Sequence, residues 1–257
     1  MIQAIKKLLK NDSVLSLAGN LTTAGLGFFN FFLLARILSK EQFGEWVFYL
    51  TLVGLFEMIR AGFLRTPLIR NIFESEKEVI GSTWLLALCY SFLVILISLV
   101  LLFVFPSAVE KADLTLFVYW FGALSLANLP TNVTFWIQQA KSRFDLILIN
   151  RLIQLAPYTF MLAYVFFSEY AISIHEIALI HLSTNALGGF IAVVFGWSGI
   201  KNLSKFNTLW INKIYQFGRY TVGSVIGTNL LKSSDTFIIK YFLGSASLAV
   251  YSIANKV

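Results

Sequence analysis

The residues best placed to do chemistry in this sequence are ionisable groups set inside long apolar stretches. Arg151 stands about two turns into such a stretch, six residues after Asp145, and the next charge beyond it is Glu169. Asp145 falls on a different face of a helix, so Arg151 has no neutralising partner on its own element. A guanidinium pairs with phosphate through two parallel hydrogen bonds, so phosphate binding suits it. The same side chain can also snorkel to lipid headgroups. Glu57 and Arg60 stand three residues apart, a spacing that brings side chains together on a helix. They can line a polar vestibule that receives a ligand, or close a local ion pair. Lys232 and Asp235 repeat that spacing, either as a pair that holds a turn or as a gating or ion-coupling element. His175, Glu176 and His181 form the last cluster. Adjacent His175 and Glu176 diverge on a helix, so no metal site is expected; His181 has the titration range for gating or proton coupling.

Nothing here composes a catalytic site. The sequence contains no GxxxxGK[ST] phosphate loop, which an ATPase of that class requires. It shows no nucleophile motif, and its single cysteine, Cys89, lies in an apolar run and reads as packing. The chain is therefore expected not to be an enzyme and to need no cofactor. Any work it performs must draw on an ion gradient, a substrate gradient or a partner.

The elements that hold these residues follow from composition. Of 257 residues, 58% are hydrophobic and 13% charged, about half the charged share of a typical soluble domain. There are 25 Phe and only 4 Pro, and mean hydropathy is +0.76. So few charges cannot cover so much apolar surface in water, whereas a lipid-facing surface removes the need. In hydrocarbon only helices or closed barrels satisfy the backbone. Runs such as LLALCYSFLVILISLVLLFVF at 85–105 do not alternate as barrel strands do. The expected fold is all-α, a polytopic transmembrane bundle. Spans are expected at 14–37, 43–63, 80–105, 114–138, 145–167, 174–196 and 215–239, with an eighth opening at Leu248. Residues 64–78 read as a polar connection, and Pro106 as a stop. Pro157 and Gly188-Gly189 read as sites of bending, or for Gly25, Gly188 and Gly189 of close helix packing.

The net charge of +7 is carried mostly between the apolar segments. Membrane lipids, rather than nucleic acid, are the partner this implies. One set of connections holds Lys6, Lys7, Lys10, Arg65, Arg70, Lys77, Lys141, Arg143, Lys201, Lys205 and Lys213; the other holds Arg36, Lys40, Lys111 and Lys240. By the positive-inside rule the N-terminus is cytoplasmic, and no cleaved signal peptide is expected. In the 197–213 connection Ile200, Leu203, Phe206, Leu209 and Trp210 recur at helical spacing, which fits an amphipathic surface helix as well as a plain loop.

An internal echo adds a fold-level expectation. Leu38-Ser39, Phe43-Gly44 and Trp46 recur as Leu243-Gly244, Leu248-Ala249 and Tyr251, 205 residues later. Such repeats are common in transporters. With FNFFLLARILSKEQFGEW (29–46), GFLRTPLIRN (62–71) and DTFIIKYFLGSASLAVYSIANK (235–256), the sequence resembles the polysaccharide exporters, or oligosaccharide (O-antigen) flippases. These belong to the superfamily of the multidrug and toxic compound extrusion transporters and the lipid II flippases. The resemblance implies a two-lobed, alternating-access bundle. In it, residues 1–196 would form a first six-helix lobe, 197–213 a cytoplasmic connection, and 214–257 the start of a second lobe. Members are longer than this chain, so a first half is expected. The implied function is translocation of polyprenyl-pyrophosphate-linked oligosaccharide across the bacterial cytoplasmic (inner) membrane, in the biosynthesis of cell-surface polysaccharide such as lipopolysaccharide. Glycosyltransferases or a glycan polymerase would be partners. Two other readings stay open: a drug or cation exporter of the same superfamily, and a non-transporting membrane scaffold.

Overall fold

A computed structural model describes residues 12–256; Lys6, Lys7 and Lys10 lie outside the described residues. All the described secondary structure is helical. In chain order it comprises α1 (Asp12–Ile37), α2 (Lys40–Asn71), α3 (Glu76–Val104), the short α4 (Pro106–Lys111), α5 (Thr115–Ala140), α6 (Phe144–Phe167), α7 (Ile174–Val194), a 3-10 turn (Ile200–Lys205) and α8 (Thr208–Lys256). Six of these, α1, α2, α3, α6, α7 and α8, are long and apolar enough to cross a membrane. Their outer faces stay apolar and exposed, as Phe92, Phe103, Phe160, Phe167, Phe190 and Tyr241 show. Cys89 is exposed on α3 in the same manner.

α5 matches the expected span at 114–138 but is less apolar than the other six. Its polar residues explain this: Ser125, Thr131, Thr134 and Gln138 are all buried. The helix is enclosed by α2, α3, α6 and α7, so its polar side chains meet protein rather than lipid. Two apolar cores flank it. One, around Trp46, Tyr49, Phe117, Phe121 and Leu162, lies towards α4. The other, around Leu64, Leu68, Trp84, Leu129 and Trp136, lies towards the 3-10 turn. These two ends of the bundle are called here the α4 end and the basic end.

The structure corrects two boundaries and bears out a third. α2 does not stop near residue 63 but continues as helix through Pro67 to Asn71. Leu64, Leu68 and Ile72 are buried at 0, 0 and 1% exposure, so the apolar four-residue repeat carries the helix past Arg65 and Arg70. The 197–213 connection is not one amphipathic helix. Gly199 turns it in the left-handed region (φ 62°), and α8 already begins at Thr208. The connection lies against the start of α3: Trp84 Nε1 donates to the Ser198 carbonyl at 2.7 Å, and Trp210 Nε1 to Glu78 at 3.0 Å. Last, α8 is broken at Gly244 (φ 80°, ψ 179°), where a left-handed φ suits glycine. The expected turn before Leu248 is thus present.

Gly189 supports the packing role. A Cβ there would come within 2.8 Å of the Ala127 carbonyl on α5. Gly25 has nothing within 4 Å, so close packing does not account for it. Pro106 ends α3 and opens α4, and Pro157 sits within an unbroken α6.

Candidate functional site

α1 and α2 are joined by a two-residue turn, yet they barely touch. α1 lies along α6, and α2 along α8. The wedge between α1 and α2 opens as two cavities of 840 and 500 Å³ that share Thr23, Gln154 and Leu155. Together they make one cleft along α6.

Arg151 lines the smaller cavity, towards the basic end. Its Nη1 donates to Asn20 Oδ1 at 2.8 Å, and its guanidinium carbon lies 6.0 Å from the Phe135 ring centre. Gly19 gives it room, since a Cβ there would touch Arg151 Nη1 at 3.4 Å. Asp145 is occupied by Arg143, at 2.9 and 2.7 Å, and cannot neutralise it. Arg65 lines the same cavity, its Nε donating to Gln139 Oε1 at 3.0 Å. Neither arginine joins an ion pair among the described residues. Among those residues no carboxylate lines either cavity. The cleft therefore carries positive charge with hydrogen-bonding capacity to spare, which suits a phosphate-bearing ligand.

Glu57 and Arg60 lie elsewhere, inside the bundle. Arg60 is fully buried. It donates to Glu57 Oε2 at 2.5 Å, to the Ser125 carbonyl at 2.7 Å, and to the Ser91 and Ser125 hydroxyls at 3.3 Å. Asn132 adds a bond to Glu57 Oε2 at 3.0 Å. The pair fastens α2 to α3 and α5 and does not line the cleft.

Lys232 and Asp235 do not pair. Lys232 lines a groove between α2 and α8 with Arg65, Arg70 and Asn229. Asp235 accepts from the Tyr251 hydroxyl at 2.8 Å, and so ties the two arms of α8 across the Gly244 break. At that break Lys240 bonds Asp113 at 2.5 Å and also Ser245. His175 accepts from Trp120 Nε1 at 3.1 Å, and Glu176 caps α7 through Ser173. Only His181 of that cluster reaches the cleft. It lines the larger cavity, its ring 5.3 Å from Tyr158 and 5.7 Å from Trp46. No group of three or more His, Cys, Asp or Glu among the described residues can hold a metal.

The family model for polysaccharide biosynthesis proteins matches residues 8–257. The chain belongs to that family. No curated protein and no solved structure matches it. Membership joins the six membrane-length helices to make this a multi-pass membrane protein of polysaccharide-related transport. Within such a protein a cleft bearing unpaired arginines is the natural place for a ligand.

The sequence points to Arg151 and not to Arg65, which lies in the expected polar connection at 64–78 but lines the same cavity. The signal was present: the apolar repeat Ala61, Leu64, Leu68 and Ile72 extends the helix and carries Arg65 with it.

Proposed function

We propose that this protein is a carrier, not an enzyme, that moves polyprenyl-pyrophosphate-linked oligosaccharide across the bacterial cytoplasmic membrane for cell-surface polysaccharide, including lipopolysaccharide, biosynthesis. The observation that carries this reading is the pair of unpaired guanidiniums, Arg151 and Arg65, on a cleft whose lining, among the described residues, holds no carboxylate. Arg65 is exposed and Arg151 partly so, which leaves their remaining N–H groups open to the cleft. A diphosphate passing through it supplies the anionic acceptors that the lining lacks. A cation or drug exporter would want the opposite lining, and a scaffold would have no use for a basic cleft. In the proposed carrier, α1 to α7 form one rocking unit and α8 opens the other. The basic end faces the cytoplasm, where glycosyltransferases supply the substrate and where Arg65, Arg70, Lys77, Lys141, Arg143, Lys201, Lys205 and Lys213 satisfy the positive-inside rule.

The test is the initial rate of lipid-linked oligosaccharide flipping in reconstituted vesicles, normalised to folded protein. Arg151→Ala should lower it sharply, and Arg151→Lys partly, because lysine lacks the bidentate geometry. If Arg151 only snorkels, lysine will serve as well as arginine. Parental rates in Arg151→Ala, Arg65→Ala and their double variant would refute the proposal.

A further inference from the structure

Lys232 lies well inside the membrane-length helix α8. It stands 19 residues after Lys213 and eight before Lys240, about 28 and 12 Å along the helix axis. Lys213 pairs with Glu74 at the basic end, and Lys240 with Asp113 at the α4 end, so these two lysines mark the ends of the bundle. Helical side chains lean towards the helix N-terminus, which for α8 is the basic end. Lys232 therefore leans away from the nearer surface, and the farther one is beyond the reach of its four-carbon stem. Among the described residues it joins no ion pair; Asp235 accepts from Tyr251 instead. An ammonium at that depth is costly unless it faces a cavity or an anion.

Lys232 does face a cavity. The groove between α2 and α8 encloses 510 Å³. Along α8 it runs eleven residues, from Thr221 to Lys232, about 16 Å. Lys232 lies at its inner end and Arg70 at its outer end, with Arg65 between them. Arg70 joins no ion pair among the described residues either; its guanidinium carbon lies 5.5 Å from the Phe217 ring centre. Thr66 and Thr228 add hydroxyls, and no carboxylate among the described residues lines the groove. Arg65 also lines the cleft, and among the described residues it alone is common to both spaces.

Cations and hydroxyls from two helices around a space without carboxylates suit a phosphate oxyanion. Depth decides whose phosphate it is. A resident phospholipid keeps its phosphate in the headgroup layer, outside a hydrocarbon core about 30 Å thick. A phosphate that reaches Lys232 belongs to a lipid whose headgroup is crossing. We propose that the α2–α8 groove is a second phosphate site for the transported lipid, with Lys232 as its inner contact, Arg70 as its outer one and Arg65 joining it to the cleft. This site rests on the carrier reading above and adds where the phosphate stands part-way across the membrane.

The test is protection of single cysteines from a water-soluble thiol reagent, in a Cys89→Ser background and in phosphatidylcholine nanodiscs. Thr228→Cys reports on the groove and Ser16→Cys on the cleft. The probes are farnesyl diphosphate, phosphatidylglycerol and inorganic diphosphate. Farnesyl diphosphate should slow labelling at both positions. Lys232→Gln should raise the concentration that half-protects Thr228→Cys about tenfold, the value of one hydrogen bond to a charged group, and leave Ser16→Cys as in the parent. Lys232→Arg should restore protection of the groove. Arg151→Ala should do the reverse of Lys232→Gln, weakening protection of Ser16→Cys alone. Lys232→Gln also removes an unpaired ammonium from the membrane, so its empty form should melt no lower than the parent, which separates lost binding from lost folding. A groove left unprotected in the parent, or protection unaltered by Lys232→Gln, overturns the site. The carrier reading then survives if Ser16→Cys is protected and Arg151→Ala weakens that protection. Phosphatidylglycerol protecting Thr228→Cys as well as farnesyl diphosphate does also overturns the site, in favour of a resident anionic lipid; equal protection by inorganic diphosphate overturns it in favour of a soluble anion. If farnesyl diphosphate protects neither position, the carrier reading falls and the groove site with it.

Discussion

Removing the charge of Glu57 while keeping its shape tests what holds the interior of the bundle. Arg60 is fully buried, and among the described residues Glu57 Oε2 at 2.5 Å is its only ionic partner. In Glu57→Gln the guanidinium keeps the Ser125 carbonyl at 2.7 Å and two hydroxyls at 3.3 Å, but all are neutral. Breaking a buried pair from one side costs about 3–5 kcal/mol. The Glu57 side chain is 20% exposed, so some solvent already screens it, and about 2–4 kcal/mol is expected here. A hydroxyl contact between membrane helices averages about 0.6 kcal/mol, so Ser91→Ala should cost well under half as much. Replacing the whole pair, Glu57→Leu with Arg60→Met, should return stability to within about 1 kcal/mol of the parent, since apolar packing often replaces a buried pair without loss. Equilibrium unfolding by SDS titration in mixed micelles, followed by tryptophan fluorescence, gives the stability of the parent and of each variant. A cost below about 1 kcal/mol for Glu57→Gln, or one equal to that of Ser91→Ala, would refute charge compensation as the main contribution of Glu57.

Three further expectations follow from other parts of the molecule. Gly44→Ala should lower the melting temperature by a few degrees, because its Cβ would overlap the Ser245 carbonyl; Gly25→Ala, in open space, should leave it level or raise it, and the reverse order would contradict the packing. In a Cys89→Ser background, a cysteine at Lys111 should react with an impermeant maleimide added from outside, and one at Lys77 only after permeabilisation; the opposite pattern would invert the proposed orientation. Asp113→Asn should speed amide exchange around the Gly244 break, because it leaves the Lys240 ammonium, 7% exposed, without an ionic partner; exchange equal to the parent would show that this pair does not hold the break.

How much the sequence discloses depends on whether one helix carries the information. α3 is plain because its apolar run is bounded by Glu78 and Pro106. The end of α2 is obscured because Arg65, Pro67 and Arg70 resemble a loop, while the buried repeat that overrules them is only every fourth residue. The 197–213 connection shows helical spacing, yet close approach to α3 decides its shape: a Cβ at Gly81 would overlap the Asn202 carbonyl, a contact no local pattern records. Arg151 stands out because an unpaired cation in an apolar stretch is costly wherever it points. Asn30, Trp46 and Tyr158 do not stand out. Each resembles an ordinary packing residue on its own helix, and only the assembled cleft shows that their polar atoms have no partners among the described residues.

The echo between residues 38–46 and 243–251 takes on physical meaning at the α4 end, where its two copies touch. Gly44, in the first, accommodates the backbone of Ser245, in the second. At the basic end the roles reverse: Gly218 of α8 accommodates the backbone and ring of Phe63 on α2. α2 and α8 thus approach backbone to backbone at both ends. In lipid such contacts hold by van der Waals packing, with little hydrophobic drive, so the ion pairs beside them bias how the helices part. Lys240–Asp113 at the α4 end has a buried ammonium at 2.5 Å. Lys213–Glu74 at the basic end is 3.4 Å long with both side chains about half exposed, worth about 0–1 kcal/mol. The ion pair beside α8 is therefore the weaker one at the basic end, where Arg65 faces both the cleft and the α2–α8 groove. There the start of α8 is held instead to α3, by Trp210 on Glu78 and by Asn207 on Ser82, so the two ends of α8 are fixed by different kinds of contact.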